Sequence, residues 1–412
     1  MTASTLTSYD ALLKERYIDS NKVEQLSYPE NVLLGMLEKR GDTGMVGDQM
    51  PVPIFSALPQ GVGGVFATAQ TASTATASSK WIITAGSYYG ISQLDDKTLL
   101  AARTNSGAFL EHKTVEIDGL YEQMAEMLSI HAWGNGGGKI GQRASAATND
   151  ITLSDIEDAQ NFEVGMTVVA SANDGSDASH ALRTGSTTVT AVNRSIGVIT
   201  LASAAGISSF GDLDYLFRSG DFAGDTLIVT LKGVQAFITG TDAPPALWSV
   251  TAATRATDPQ RFAGCRVDAT ELSGKSYDDR IMTLCAWMTS VFKAKAPTAG
   301  FMNPLDFQVL SVLMANKGVR AMEDKNTKFG YMKIDVVTPS GNMPIYTDRH
   351  CPRGTFFALR MEDWWISSMG ELMHVQNSDG LQMLRRATST DYEYRLISYP
   401  LVANRAPKNS GR

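Results

Sequence analysis

The sequence predicts an α+β chain built in several parts. Strand-like runs, "MPVPIF" and "KWIITAGSYYGISQL", flank a charge-free stretch at residues 67–79, "ATAQTASTATASS". Farther on, three apolar stripes recur at helical spacing, and between the first and second of them some eighty residues read only as short β runs.

At 44.4 kDa the chain exceeds the usual size of one hydrophobic core, so two or three domains are expected. It is 43% hydrophobic and 19% charged, which places it with folded rather than disordered proteins. A net charge of -7 argues against a broad basic face for nucleic acid, because phosphate neutralisation needs clustered Lys and Arg. Cys265, Cys285 and Cys351 are an odd count at wide spacing with no CxxC pair, which suggests neither a disulfide framework nor a zinc site. The first residues lack a basic segment followed by an apolar one, and nowhere do eighteen apolar residues run together, so neither a signal peptide nor a membrane span is expected.

Residues 1–50 read as a polar arm with one short helix over 28–39, where Val32, Leu33, Met36 and Leu37 share a face. Residues 50–100 read as strand, small-residue loop and strand, each leg of roughly 15 residues reaching about 50 Å if extended. A stripe of Leu110, Ile117, Leu120, Tyr121, Met124, Met127 and Leu128 predicts a long helix over 106–133, stopped by "GNGGG". The β block follows. Ser276 and Asp279 then suggest a capping box opening a helix over 276–295, with Ile281, Leu284, Met288 and Val291 on one face and Pro297 beyond. Asn303 is placed to cap a further helix with Pro304 in its first turn, a face of Leu305, Val309, Leu310 and Leu313, and Gly318 at its end. The chain returns to strands in "YMKIDVVTP", "MPIYTD", "GTFFALR" and "WWIS", with Ser340-Gly341 as a hairpin turn, and "YEYRLISYPLVA" is a final strand.

No motif for chemistry stands out. "GGGKIG" (Gly136 to Gly141) matches a dinucleotide fingerprint literally but follows a helix, so it reads as a helix-terminating loop. His112, His131, His180, His350 and His374 have no ligand-spaced partners, and His350 beside Cys351 reads as a loop between strands. The adjacent acids Asp95 and Asp96, Asp278 and Asp279, and Glu362 and Asp363 are expected to be structural, and Trp364 and Trp365 to be core or interface aromatics. No catalytic residue, cofactor or metal site is expected.

The order of elements, with the inserted block "FEVGMTVVAS…VTAVNRSIGVITL…GDLDYLFRSGDF", resembles the major capsid protein fold of tailed double-stranded-DNA bacteriophages, shared with encapsulins and the herpesvirus capsid floor. The resemblance implies an N-terminal arm (1–50), an extended loop over a neighbouring subunit (51–95) and a peripheral domain with its spine helix (96–144). It further implies a small all-β insertion domain (145–224), an axial domain with a second peripheral helix (225–380) and a return to the peripheral domain (381–412). It also implies a non-enzymatic subunit that self-assembles through pentamers and hexamers into an icosahedral shell around double-stranded DNA, without sequence-specific binding. Separate scaffolding, portal and decoration proteins, a place in the virion and assembly in the host cytoplasm go with it.

On that resemblance the charge-free tip lies on the next subunit, where small side chains let backbones approach and hydroxyls stay free to bond. Thr68, Gln70, Thr71, Ser73, Thr74, Thr76 and Lys80 are the expected inter-subunit residues. Two other functions fit the residues: an encapsulin-like cellular compartment, and a soluble hydrolase or lectin-like protein with the β block as its ligand domain.

Overall fold

The computed structural model describes residues 31–41, 44–96, 112–176, 181–203, 209–224, 230–241, 243–268, 270, 272–316, 322–323, 332–376, 384–386 and 389–412. Most of the arm, the segment ahead of His112 and His180 lie outside them.

Helix and sheet are mixed throughout. The short helix α1 is Val32–Met36, shorter than the expected 28–39, because the chain turns extended at Leu37 and enters strand β1, Glu38–Arg40. Asp348 fixes α1 to the body by accepting from Leu33 N at 3.0 Å. β2 (Gln49–Ala57) and β3 (Ala77–Thr84) pair antiparallel, and helix α2 (Phe66–Thr71) stands between them. The expected loop over 67–79 is thus corrected: its first part is helical and Ala77–Ser79 begin β3. The legs are also shorter than expected, about 30 Å for nine residues. β3 ends at Thr84, where Ala85 N turns to Asp48 O and Gly86 N to Pro400 O, and β4 (Tyr88–Leu94) belongs to another sheet.

The long helix α3 is His112–Trp133. Its buried C-terminal half carries Met124, Leu128 and Trp133, the last ring lying 5.7 Å from Phe301 and 5.3 Å from Phe357. Gly90 of β4 lets the helix approach the sheet, since a Cβ there would meet Leu120 Cδ1 at 3.0 Å. The glycine run ends α3 as expected. Gly136 and Gly138 take φ of 90° and 86°, and a Cβ on Gly138 would stand 1.8 Å from Asp221 O.

A closed barrel follows, in the order β10-β5-β6-β9-β8-β7: β5 (Lys139–Ala147), β6 (Asp150–Leu153), β7 (Thr167–Ser171), β8 (Thr187–Asn193), β9 (Val198–Leu201) and β10 (Tyr215–Arg218). It begins at Lys139, upstream of residue 145, because β5 runs straight out of the glycine turn. Ile151, Phe162, Val168, Ile199 and Leu216 fill it as a core of its own.

Short helices α4 (Val234–Phe237), α5 (Ala252–Thr257) and α6 (Pro259–Ala263) lead to α7, Tyr277–Ser290. The expected capping box is absent: the Ser276 hydroxyl donates to the Asp278 and Asp279 carboxylates rather than accepting from the helix. α7 stops at Ser290, short of 295, as Lys293 takes a φ of 52°. Strand β11 is Ala299–Met302 and helix α8 Pro304–Asn316, capped as expected by Asn303 Oδ1 accepting from Leu305 N at 3.0 Å. The face of α8 is corrected: Phe307, Leu310 and Met314 are buried, whereas Leu305, Val309 and Val312 face out.

These helices flank a sheet ordered β12-β13-β14-β11-β15, adding β12 (Met322–Glu323), β13 (Met332–Thr338), β14 (Gly341–Thr347) and β15 (Phe357–Leu359). Its hairpin loop is Pro339-Ser340, one residue earlier than expected, since Thr338 pairs with Gly341. After two short strands, β17 (His374–Val375) and β18 (Leu384–Arg385), the expected final strand is in fact two, β19 (Tyr392–Ser398) and β20 (Pro400–Asn404). β19 pairs β4, while β20 pairs β16 (Trp364–Ser368), which also pairs β1. Trp364 and Trp365 are buried there, as expected.

Candidate assembly surface

The β2–β3 hairpin has an anchored base and a projecting tip. Alternation along β2 buries Met50, Val52 and Ile54, and β3 buries Trp81 and Ile83. The Trp81 ring sits edge-on to Phe237, Trp248 and Phe262, with centroids 6.0, 6.1 and 6.3 Å away. Polar ties add to this. Ser249 Oγ donates to Lys80 O at 2.7 Å and accepts from Ile82 N at 3.0 Å, and Arg261 Nη1 donates to Ser56 O at 2.6 Å.

Beyond Ile54 the anchoring stops. From Phe55 to Lys80 only Ser56, Ala69 and Ser79 are half-buried and the rest is exposed, and the segment carries no charge until Lys80. Five large apolar side chains, Phe55, Leu58, Val62, Val65 and Phe66, are between 61% and 88% exposed. Apolar surface of this extent, without charge to keep it solvated, marks a contact surface.

Of the expected contact residues, Thr68 to Thr76 stand on the tip, where their hydroxyls are partly used within it, and Lys80 lies in β3 opposite Pro53. Thr68 and Thr71 are on α2, and Thr71 Oγ1 donates to Ala67 O at 2.8 Å. Thr74 Oγ1 accepts from Gln60 N at 3.1 Å, which pins the returning chain, and Gly61 lets it close, since a Cβ there would meet Ser73 at 3.2 Å. Gln70, Ser73, Thr76 and Lys80 are exposed. Sequence reasoning missed the apolar five. The signal was present in "FSALPQGVGGVF", whose large residues have no helical or strand period to bury them.

A second uncharged face is the outward side of α8, where Leu305, Val309 and Val312 succeed one another along the helix. The only acid of α8, Asp306, turns inward and accepts from Gly354 N at 2.7 Å.

The groups singled out in the sequence are buried or paired. Burial raises the Cys351 thiol well above its usual range, with Asp348 adding to the effect. The His350 ring lies 3.3 Å from Glu126 Oε1 and 3.1 Å from Arg349 Nε, in an ion-pair network that also joins Arg349 to Glu126. Asp363 is held by Arg405 Nε at 2.8 Å and Asn409 Nδ2 at 2.7 Å. Among the described residues no three His, Cys, Asp or Glu side chains gather as a metal site, and no helix is long and apolar enough to cross a membrane.

No protein-family model and no curated protein matches the sequence. Solved structures do align with it along nearly its full length. The capsid of a native GTA particle is 8% identical over 99% of this chain and 98% of its own, with a TM-score of 0.46. The capsid of cyanophage A-1(L) is 12% identical over 94% and 93%, with a TM-score of 0.46. A holo-encapsulin complex from Synechococcus elongatus PCC 7942 is 7% identical over 100% and 95%, with a TM-score of 0.47.

Proposed function

We propose that this chain is the major capsid subunit of a tailed double-stranded-DNA phage, a non-enzymatic protein that assembles through rings of five and six into an icosahedral shell around the genome. The observation that carries this is the uncharged hairpin tip, whose five exposed apolar residues find nothing among the described residues to bury against. On a neighbouring subunit that surface leaves water, and many repeats of a modest contact hold a closed shell.

Other features agree with the expected division of the chain. The exposed α8 face, within the proposed axial region 225–380, is the surface on which copies meet around a capsomer centre. The barrel that we propose as the insertion, 145–224 with β5 reaching back to Lys139, has the narrow neck that an inserted domain needs: just outside its first and last strands, Ala223 N donates to Gly137 O at 3.2 Å. The barrel is a site for reinforcing the capsomer or for receiving a decoration protein, while scaffold and portal are separate partners. A virion location and assembly in the host cytoplasm follow from the same proposal.

The test is light scattering with electron microscopy of the purified chain, alone and co-expressed with neighbouring genes. Shells or rings of five and six are expected, and nucleic acid inside shells formed during infection separates a virion from a cargo-bearing compartment. A monomer under every condition would overturn the proposal.

A further inference from the structure

We propose an oxyanion-binding site of the phosphate class in the cavity of about 270 Å³ where α4, the glycine turn after α3 and Arg412 meet, held by Lys232, Arg255 and Arg412, with Lys139, which stands 4.9 Å over the Tyr215 ring, also in its lining. Nothing in the capsid proposal calls for such a site, and its test is independent of shell formation.

Lys232, Arg255 and Arg412 pair with no Asp or Glu side chain among the described residues. The Arg255 side chain is fully buried, and its guanidinium donates only to main-chain carbonyls: Pro245 O at 2.7 Å, Ala236 O at 3.1 Å, and Phe237 and Phe262 O at 3.3 Å. Those neutral acceptors and the Trp81 ring, 5.8 Å away, leave its charge without a counterion, and its buried Nε has no partner among the described residues. Among the described residues the Lys232 ammonium has no hydrogen bond or ion pair, and it stands 5.5 Å over the Trp248 ring. Among the described residues the Arg412 guanidinium has only the Phe357 ring, at 5.6 Å, and lies against Gly240. Nearby Arg266 already has its counterion in Asp268, at 2.6 Å.

The one described acid in the lining does not serve them. Asp174 is taken up by Asn135 Nδ2 at 2.6 Å and by Ser176 Oγ at 2.6 Å and N at 3.1 Å. Burial and, for Lys232, the Arg255 charge push these cations below their usual ranges, Arg255 to about 10. A buried charge without a counterion is costly, and an anion placed between the three removes that cost. Gln235, whose amide has no partner among the described residues, adds a neutral donor to the lining. A tetrahedral oxyanion suits the set, since Arg offers forked donors and Lys a point charge.

The experiment is thermal unfolding of the full chain in sodium phosphate against sodium chloride at matched ionic strength, with phosphorus-31 line broadening of the added phosphate as a second readout. Phosphate is expected to raise Tm by about 1 to 2 °C for each tenfold excess over its dissociation constant. Lys232→Gln, at a half-buried position that leaves the core intact, is expected to abolish both signals, and Lys232→Arg to keep them. A parallel arm with a thymidine decanucleotide distinguishes sources: a response that Lys232→Gln abolishes would identify nucleic acid as the donor of the phosphate. Equal shifts in phosphate and chloride without line broadening, or a Lys232→Gln chain that responds like the parent, would overturn the site.

Discussion

Phe66→Ser isolates the tip contact. The ring is 82% exposed in the lone chain and belongs to no core cluster, so the substitution removes nothing that holds the monomer together. Full burial of a Phe side chain stabilises by about 1.5–3 kcal/mol, and scaling by the exposed share gives about 2 kcal/mol for docking this ring on a neighbour. Each subunit contributes one tip, so the subunit concentration at half-assembly should rise about 30-fold. Light scattering across a dilution series measures that midpoint, and thermal unfolding of the unassembled chain supplies the control, in which Tm should not move. A Phe66→Ser chain that assembles at the parent's midpoint would refute the claim that the apolar tip drives assembly. One that also unfolds early would show that the tip belongs to the subunit's own fold.

Trp81→Ala should act oppositely, destabilising the monomer by about 3–5 kcal/mol through a cavity beside Phe237, Trp248 and Phe262, seen as a lowered denaturant midpoint before any assembly. Val309→Asp on the outward side of α8 should leave the denaturant midpoint within about 0.5 kcal/mol of the parent while preventing rings in negative-stain images. Asp158 is pushed up to about 7, by burial first and then by Asp155 and Glu157 against the opposing Lys139, so its folded carboxyl holds a proton that the unfolded chain releases near 4. That contribution favours the fold at low pH and is lost as pH rises through 7. Asp158→Asn should therefore be more stable than the parent by about 2–4 kcal/mol at pH 8, with the difference shrinking towards pH 5 in parallel denaturant titrations.

Local signals in the sequence carried far, and non-local ones did not. Asn303 and Pro304 mark the start of α8 because capping is settled within three residues, and "GNGGG" marks the end of α3 because only glycine takes φ near 90° cheaply. By contrast, "KWIITAGSYYGISQL" gives no sign that its second half leaves the hairpin, since β4 finds its partner in β19, some three hundred residues on. The α8 face was misassigned for a related reason. A helix apolar on several sides has no single stripe, and only its packing on the sheet decides that Phe307, Leu310 and Met314 go inward. At the candidate site, "ATAQTASTATASS" drew notice through its missing charge, and the preceding large residues were passed over because isolated apolar residues are ordinary on surfaces. The cationic cavity was beyond sequence reading, as Lys232, Arg255 and Arg412 meet only after the chain end has crossed Ala358 and Cys265.

In the proposed shell the hairpin would separate desired from undesired association, and the backbone directions explain how. Ser249 Oγ bonds both Lys80 O and Ile82 N, so these groups point away from β2. Their register partners Pro53 and Pro51 therefore sit in non-hydrogen-bonded pairs, with their nitrogens on the outer edge of β2. Proline has no N–H to offer there, so that edge cannot recruit another strand, and the outer edge of β3 is already covered by Ser249. Association is left to side chains at the tip rather than to strand addition at the base. The double substitution Pro51→Val and Pro53→Val restores two outward donors and raises strand propensity without touching the buried Met50, Val52 and Ile54. The expected outcome is a folded monomer, by unchanged circular dichroism, that forms irregular aggregates at concentrations where the parent gives discrete particles. A double mutant as monodisperse as the parent would show that the prolines guard nothing.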